Sequence, residues 1–243
     1  AKVALDILDS YQVKGAFFVC SRPYMDKKPL AVHKIHWLRA TTPPEQFRNE
    51  FLVRLPDEWH GRLKDAEMRK KAESMYIYDE PSVAWLKYLM NFEISPSVID
   101  EITESMMKDK GIEPEQFCDQ TYMTKSELKQ LADMGHIIGS HGHSHVPFSR
   151  LKTTVLEDEL EKNKKFIERV TGICPTWLSY PYGRSWAIPE NEEEICIKLK
   201  YDVAVSLVPG WNTKNENPFM VKRINTNEVE DYCAKELGSR GVT

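Results

Sequence analysis

Two histidines four residues apart, His141 and His145, end an apolar run in Gly135-His136-Ile137-Ile138-Gly139-Ser140-His141-Gly142-His143-Ser144-His145. Imidazoles at that interval on one tight turn can converge on a single cation, giving a divalent metal two nitrogen ligands. Ile137 and Ile138 would anchor the preceding segment in a core, while Gly139 and Gly142 let the backbone bend closely around a site. Gly142 and Pro147 argue against a long regular helix, so the cluster is expected at the mouth of a strand. His143 is expected to point away from the focus its neighbours share, toward a supporting contact or solvent. The alternative is a histidine-rich surface turn with ordinary hydrogen bonds. A second segment, Ser179-Tyr180-Pro181-Tyr182-Gly183, reads by itself as a proline turn between a strand and a helix.

The elements that must position these residues follow from periodicity. Short apolar runs alternate with amphipathic helices, the pattern of an α/β layer or barrel. Val3, Leu5, Ile7 and Leu8 fit a helix ending near Tyr11, and Gly15 to Cys20 reads as a fully buried strand. Thr124 and Glu127 form a capping box for a helix carrying Leu128 and Leu131 and stopped at Gly135. A strand from His136 to Ser140 follows. Val155, Leu156, Leu160, Ile167 and Val170 mark a long helix closed by Gly172, and Thr176 to Tyr180 reads as the next strand. A helix from Glu190 to Leu199 leads into the strand Val203 to Leu207, and Phe219 to Ile224 reads as the last. The stretch 23–122 interrupts this alternation with several amphipathic helices and few strand signals, so a helical insertion within one domain, 1–243, is expected. Its stripes Trp85-Leu86-Leu89-Met90 and Val98-Ile99-Ile102-Met106 read as core.

Composition bounds the partners. A chain of 243 residues, 41% of them apolar, can bury a full core. The formal charge of −4, with lysines spread among glutamates, gives no basic field to draw in nucleic acid. Five cysteines without CxxC spacing read as reduced thiols, which makes a cytoplasmic setting the expectation. No run reaches the roughly 18 apolar residues of a membrane span. The chain opens inside a helical pattern, so its natural start is expected further upstream and export stays open.

With His141 and His145, the Ser179-Tyr180-Pro181-Tyr182-Gly183 segment and the helix before the Gly15 to Cys20 strand, the chain resembles the NodB-type polysaccharide deacetylases of carbohydrate esterase family 4. The resemblance extends to Val208-Pro209-Gly210-Trp211-Asn212-Thr213 and Arg223-Ile224. It implies a distorted (β/α) barrel with fewer than eight units and an active site at the strand C-termini. It also implies a divalent metal, usually zinc, held by two histidines and an aspartate, with the histidines mapping onto His141 and His145. The activity implied is removal of N-acetyl groups from an amino sugar of a glycan, glycolipid or precursor. The backbone N–H of Tyr182 would hold the oxyanion in a loop fixed by Pro181 and Gly183. An N-acetylated carbohydrate is the partner implied. Pro181, Trp186, Trp211 and Arg223 are the candidate substrate contacts, the indoles as stacking platforms or as loop-anchoring core.

Departures from the family pattern are equally specific. Its threonine-phenylalanine-aspartate-aspartate-glycine motif, source of the general base and the third ligand, has no counterpart here, and Asp6 and Asp9 fall on the following helix. The first strand is therefore expected to be missing from this sequence, and the chain alone should bind metal weakly and turn over little. The arginine expected two residues before the loop proline is Ser179, so Arg184 or Arg223 could supply that charge. The late leucine-x-histidine motif is not recognisable, leaving His33, His36, a protonated aspartate or water as the acid. Two other readings stay open: a hydrolase of a small cyclic or linear amide, and a carbohydrate-binding pseudoenzyme.

Overall fold

Short apolar segments, each released by a glycine, a proline or a helix end, form five parallel strands: β1 (Ala16–Val19), β2 (Ile137–Ser140), β3 (Trp177–Ser179), β4 (Val203–Pro209) and β5 (Val221–Arg223). The computed structural model describes residues 2–239, and side chains from 5 to 234; Val3, expected on the first apolar helix face, lies outside the described side chains. The strands lie in the order β1-β2-β3-β4-β5, each paired with its neighbour in parallel. Parallel neighbours need long crossovers. Helix Thr153–Thr171 supplies the one from β2 to β3, and helix Glu192–Lys198 the one from β3 to β4. The architecture is α/β, a distorted barrel-type sheet with five strands rather than eight.

Local sequence sets the element ends. Thr124 and Glu127 form the reciprocal capping box that opens helix Lys125–Asp133. Helix Thr153–Thr171 stops at Gly172, which adopts φ 79° and donates its N–H to the Glu168 carbonyl. Leu156 and Leu160 from that helix pack with Leu178, Ile195 and Ala204 in the core of the sheet unit, and Phe166 and Ile167 of the same helix are also buried. Two expectations need correction. Val155 is 47% exposed, because it falls beside the buried stripe rather than on it. β1 is not fully buried: Ala16 is exposed and Phe17 and Phe18 are half-buried, since β1 is an edge strand with β2 as its one partner.

The chain divides into two compact units, residues 1–21 with 123–243, and Arg22–Tyr122. The second unit is helical. Pro44, Pro81, Pro96 and Pro114 each occupy the first turn of a helix, where a missing N–H costs nothing. Its core gathers Leu38, Phe47, Phe51, Leu89, Ile94 and Met106. It also holds an ion cluster: Lys34, 1% exposed, reaches the Asp100 carboxylate at 2.7 Å, and Arg22 binds the same carboxylate. Burial works against the Asp100 charge, but Arg22 and Lys34 overcome it and hold the carboxyl below its usual range. All five cysteines are free thiols: Cys20, Cys118 and Cys196 are buried, Cys174 and Cys233 exposed.

Candidate active site

β2 runs out at Ser140, and His141 emerges at the C-terminal end of the strand with its N–H still bonded to the Val19 carbonyl of β1 at 3.2 Å. Its ring is turned by the next strand: Nδ1 lies 2.6 Å from the Ser179 carbonyl at the end of β3. A carbonyl only accepts, so Nδ1 carries the proton, and in the neutral ring Nε2 is then the nitrogen with the lone pair. The His145 ring lies edge-on to it, with centroids 4.9 Å apart. From there an aromatic row continues to Tyr182, 5.2 Å from His145, and to Trp186, 5.4 Å from Tyr182.

Backbone strain concentrates here. Five non-glycine residues among those described take positive φ, and two of them, His145 at 60° and Tyr182 at 64°, belong to this row. Each such conformation costs on the order of 1–3 kcal/mol and persists when its surroundings fix it. Gly183 at φ 58° continues the left-handed turn, and its carbonyl accepts from the Leu207 N–H of β4 at 2.7 Å. A Cβ there would lie 2.7 Å from that nitrogen, so the close approach admits only glycine.

Glu159, on helix Thr153–Thr171, braces the His141–His145 turn. Its carboxylate accepts the His143 N–H at 3.1 Å, the Ser144 N–H at 2.9 Å and the Ser144 hydroxyl at 2.9 Å. His143 is buried rather than solvent-facing, with Nδ1 2.9 Å from Ser21 Oγ and Nε2 2.8 Å from Lys162 Nζ. Deeper still, Tyr201 donates to Ser140 Oγ, Ser140 donates to Asn163 Oδ1 at 2.6 Å, and the Asn163 amide donates to the Val19 carbonyl. Burial drives the Cys20 thiol far above its ordinary pKa, the Glu159 charge adding to the effect, and the thiol donates to the His141 carbonyl. Cys20 is thus part of the frame.

The structure therefore brings together His141, His145, Tyr182 and Trp186. Pro181 is buried in the loop between them. Trp211 is 52% exposed and packs near Tyr232 instead. Arg223 and Arg184 line a separate cavity at the ends of β5 and of the β3 loop. His33 is engaged inside the helical unit, Nδ1 2.7 Å from the Tyr122 hydroxyl, and burial lowers its pKa. Among the described residues no group of three or more histidine, cysteine, aspartate or glutamate side chains is placed to hold a metal. Among the described residues the donor set for an expected zinc is thus His141 and His145, with no third ligand grouped with them. The bracing residues Glu159 and Asn163 were missed from sequence, although Asn163 interrupts the apolar spacing 156, 160, 167 at a buried position.

Residues 88–204 match the model of the polysaccharide deacetylase family. Over that stretch the chain is similar to this family. Among curated polysaccharide deacetylase relatives, the peptidoglycan-N-acetylglucosamine deacetylase of Bacillus cereus is 23% identical over 111 residues, 42% of this chain and 38% of that protein. The peptidoglycan deacetylase of Helicobacter pylori is 32% identical over 78 residues, 31% of this chain and 26% of that protein. The chain thus spans well under half the length of these relatives. Among solved structures, it is similar to a polysaccharide deacetylase from Bacillus cereus at 25% identity and TM-score 0.39, over 46% of this chain and 36% of that one. A deacetylase from Streptococcus pyogenes in complex with acetate is similar at 19% identity and TM-score 0.39, over 42% and 44%. No helix among the described residues is long and apolar enough to cross a membrane.

Proposed function

We propose that the chain removes N-acetyl groups from an amino sugar of a glycan, glycolipid or sugar precursor. The observation that carries this reading is the His141 ring, whose Nδ1 proton is held by the Ser179 carbonyl so that Nε2 offers its lone pair beside His145. The similarity of residues 88–204 to the polysaccharide deacetylase family supports it, as do relatives named for deacetylating peptidoglycan. His141 and His145 would hold a divalent metal, zinc. When bound, zinc polarises an acetamide carbonyl and acidifies a water. The described residues supply only two of the three protein ligands usual for catalytic zinc, so weak metal binding and slow turnover are expected of this sequence alone.

The chain's own residues would orient and stabilise. The strained loop would aim the Tyr182 N–H at the developing oxyanion, a donor whose loss costs roughly 3 kcal/mol of barrier. Tyr182 and Trp186 would offer ring faces to a sugar. A carbohydrate-binding protein with an incomplete site is the second reading, and the two-ligand donor set favours it.

Zinc content and acetate release from N-acetylglucosamine oligomers, measured for the protein and for His141→Ala and His145→Ala, decide between them. Zinc uptake and acetate release that disappear in both variants support the hydrolase. Oligomer binding without acetate release at saturating zinc would favour the binding protein.

A further inference from the structure

Beyond Tyr182 the loop leads into a second depression at the same end of the sheet. Arg184, two residues on, has its Cα within about 7.6 Å of the Tyr182 Cα, twice the trans Cα spacing. It lines a cavity of about 270 Å³ with Arg223, which ends β5, and with Asn225, Thr226 and Glu228 from the turn that follows. Leu207 of β4 gives the cavity an apolar wall. The volume falls near the lower end of the roughly 300–1,000 Å³ of small-molecule sites, the scale of one sugar unit rather than a polymer groove.

The charged residues that line it do not balance. Two arginines stand against one glutamate, and neither arginine side chain makes an ion pair among the described residues. Arg22, Arg48, Arg54 and Arg62 of the helical unit, by contrast, each meet an acidic partner. Guanidinium forks match carboxylate and phosphate oxygens in paired hydrogen bonds, and an anion between Arg184 and Arg223 would neutralise the excess. Asn225, Thr226 and Glu228 supply donors and acceptors suited to sugar hydroxyls.

We infer that this cavity is a subsite for a sugar bearing a carboxylate or a phosphate ester, adjacent to the acetamido sugar. The adjacency rests on the deacetylase reading; anion recognition does not. Direct binding tests it with three probes: a β-linked disaccharide of N-acetylglucosamine and glucuronic acid, its analogue with the carboxyl reduced to the alcohol, and that neutral analogue phosphorylated at the same carbon. At low salt an anionic probe should bind at least about tenfold more tightly than the neutral one, the gain of one good charge-assisted contact. The preference should shrink with added salt, fall in Arg184→Gln and in Arg223→Gln, and vanish in the double variant. The two single variants keep the question decidable if the double fails to fold. Equal affinity for all three, a preference that survives both single variants, or no binding of any probe overturns the subsite. Acetate release is scored separately: anion-selective binding without release leaves the subsite standing and removes the deacetylase reading, while release without anion selectivity does the reverse.

Discussion

At the scale of single residues, this site is organised by conformations that ordinary side chains avoid. His145 and Tyr182 both sit at positive φ, and Gly183 completes the turn against the backbone of β4. Gly183→Ala should therefore be disproportionately destabilising. A methyl there would meet Leu207 N at 2.7 Å while holding a left-handed backbone, which itself costs about 1–2 kcal/mol for an L-residue. We expect a loss of at least about 2 kcal/mol, read as a shift in the denaturation midpoint at unchanged slope. A midpoint within experimental scatter of the parent would mean that the loop relaxes and that its strain is not built in.

At the scale of elements, helix Thr153–Thr171 does two jobs. Its apolar stripe closes the core under the sheet, and Glu159 braces the turn between the two histidines. Glu159→Gln keeps the shape but loses the charge and one acceptor oxygen for two backbone amides and a hydroxyl. Hydrogen bonds to a charged group contribute about 1.5–3 kcal/mol each, so a loss of some 2 kcal/mol is expected. Exchange of the His143 and Ser144 amides should quicken more than that of the strand amides, as hydrogen-exchange mass spectrometry would show. Uniform acceleration throughout would instead make Glu159 a general stabiliser.

Much of this element level was legible in the sequence because it depends on local chemistry. The Thr124–Glu127 box and the Gly172 terminus are encoded within four or five residues of themselves, and both formed. The histidine turn was legible for the same reason. The burial of β1 was not, since an apolar run such as Ala16-Phe17-Phe18-Val19 does not announce that it has one neighbour instead of two. Nor was the brace legible: Glu159 meets Ser144 only after helix and sheet have packed, and a lone glutamate on a charged helix reads as solvated surface. The contact of Trp211 with Tyr232 was not legible either, because sequence order past β4 does not specify the path of its loop.

At the scale of the whole molecule, two units with separate cores bring separate sensitivities. The helical unit holds the Arg22–Asp100–Lys34 cluster. Asp100 has a depressed pKa in the fold, so its contribution is complete above the unfolded value near 3.9 and is lost as pH falls through the folded value. Lys34 is shifted downward by burial, which bears on the alkaline side, while the acid limb belongs to Asp100 together with Glu104, whose carboxyl is also held below its usual range. Asp100→Asn should cost about 3 kcal/mol at neutral pH, because Lys34 and Arg22 lose the carboxylate they share and Lys34 keeps only the more distant Glu104, at 4.0 Å. The parent should lose part of that advantage on acidification below about pH 4. Denaturation followed at pH 7 and pH 3 would test this, and a difference between variant and parent that is the same at both would sink it.

The distribution of sulfur turns these two cores into two clocks. Cys174 and Cys233 should consume a disulfide reagent at once, whereas Cys118, Cys20 and Cys196 must wait for their surroundings to open. Burial lifts the Cys118 and Cys196 thiols to about 11, and Cys20 higher still, so none reacts in place at neutral pH. Cys118 belongs to the helical unit, Cys20 and Cys196 to the sheet. Peptide-resolved labelling should give one waiting time for Cys118 and a different, common one for the other pair; a single time for all three would mean that the cores melt as one. Read this way, three silent thiols report which half of the molecule gives way first.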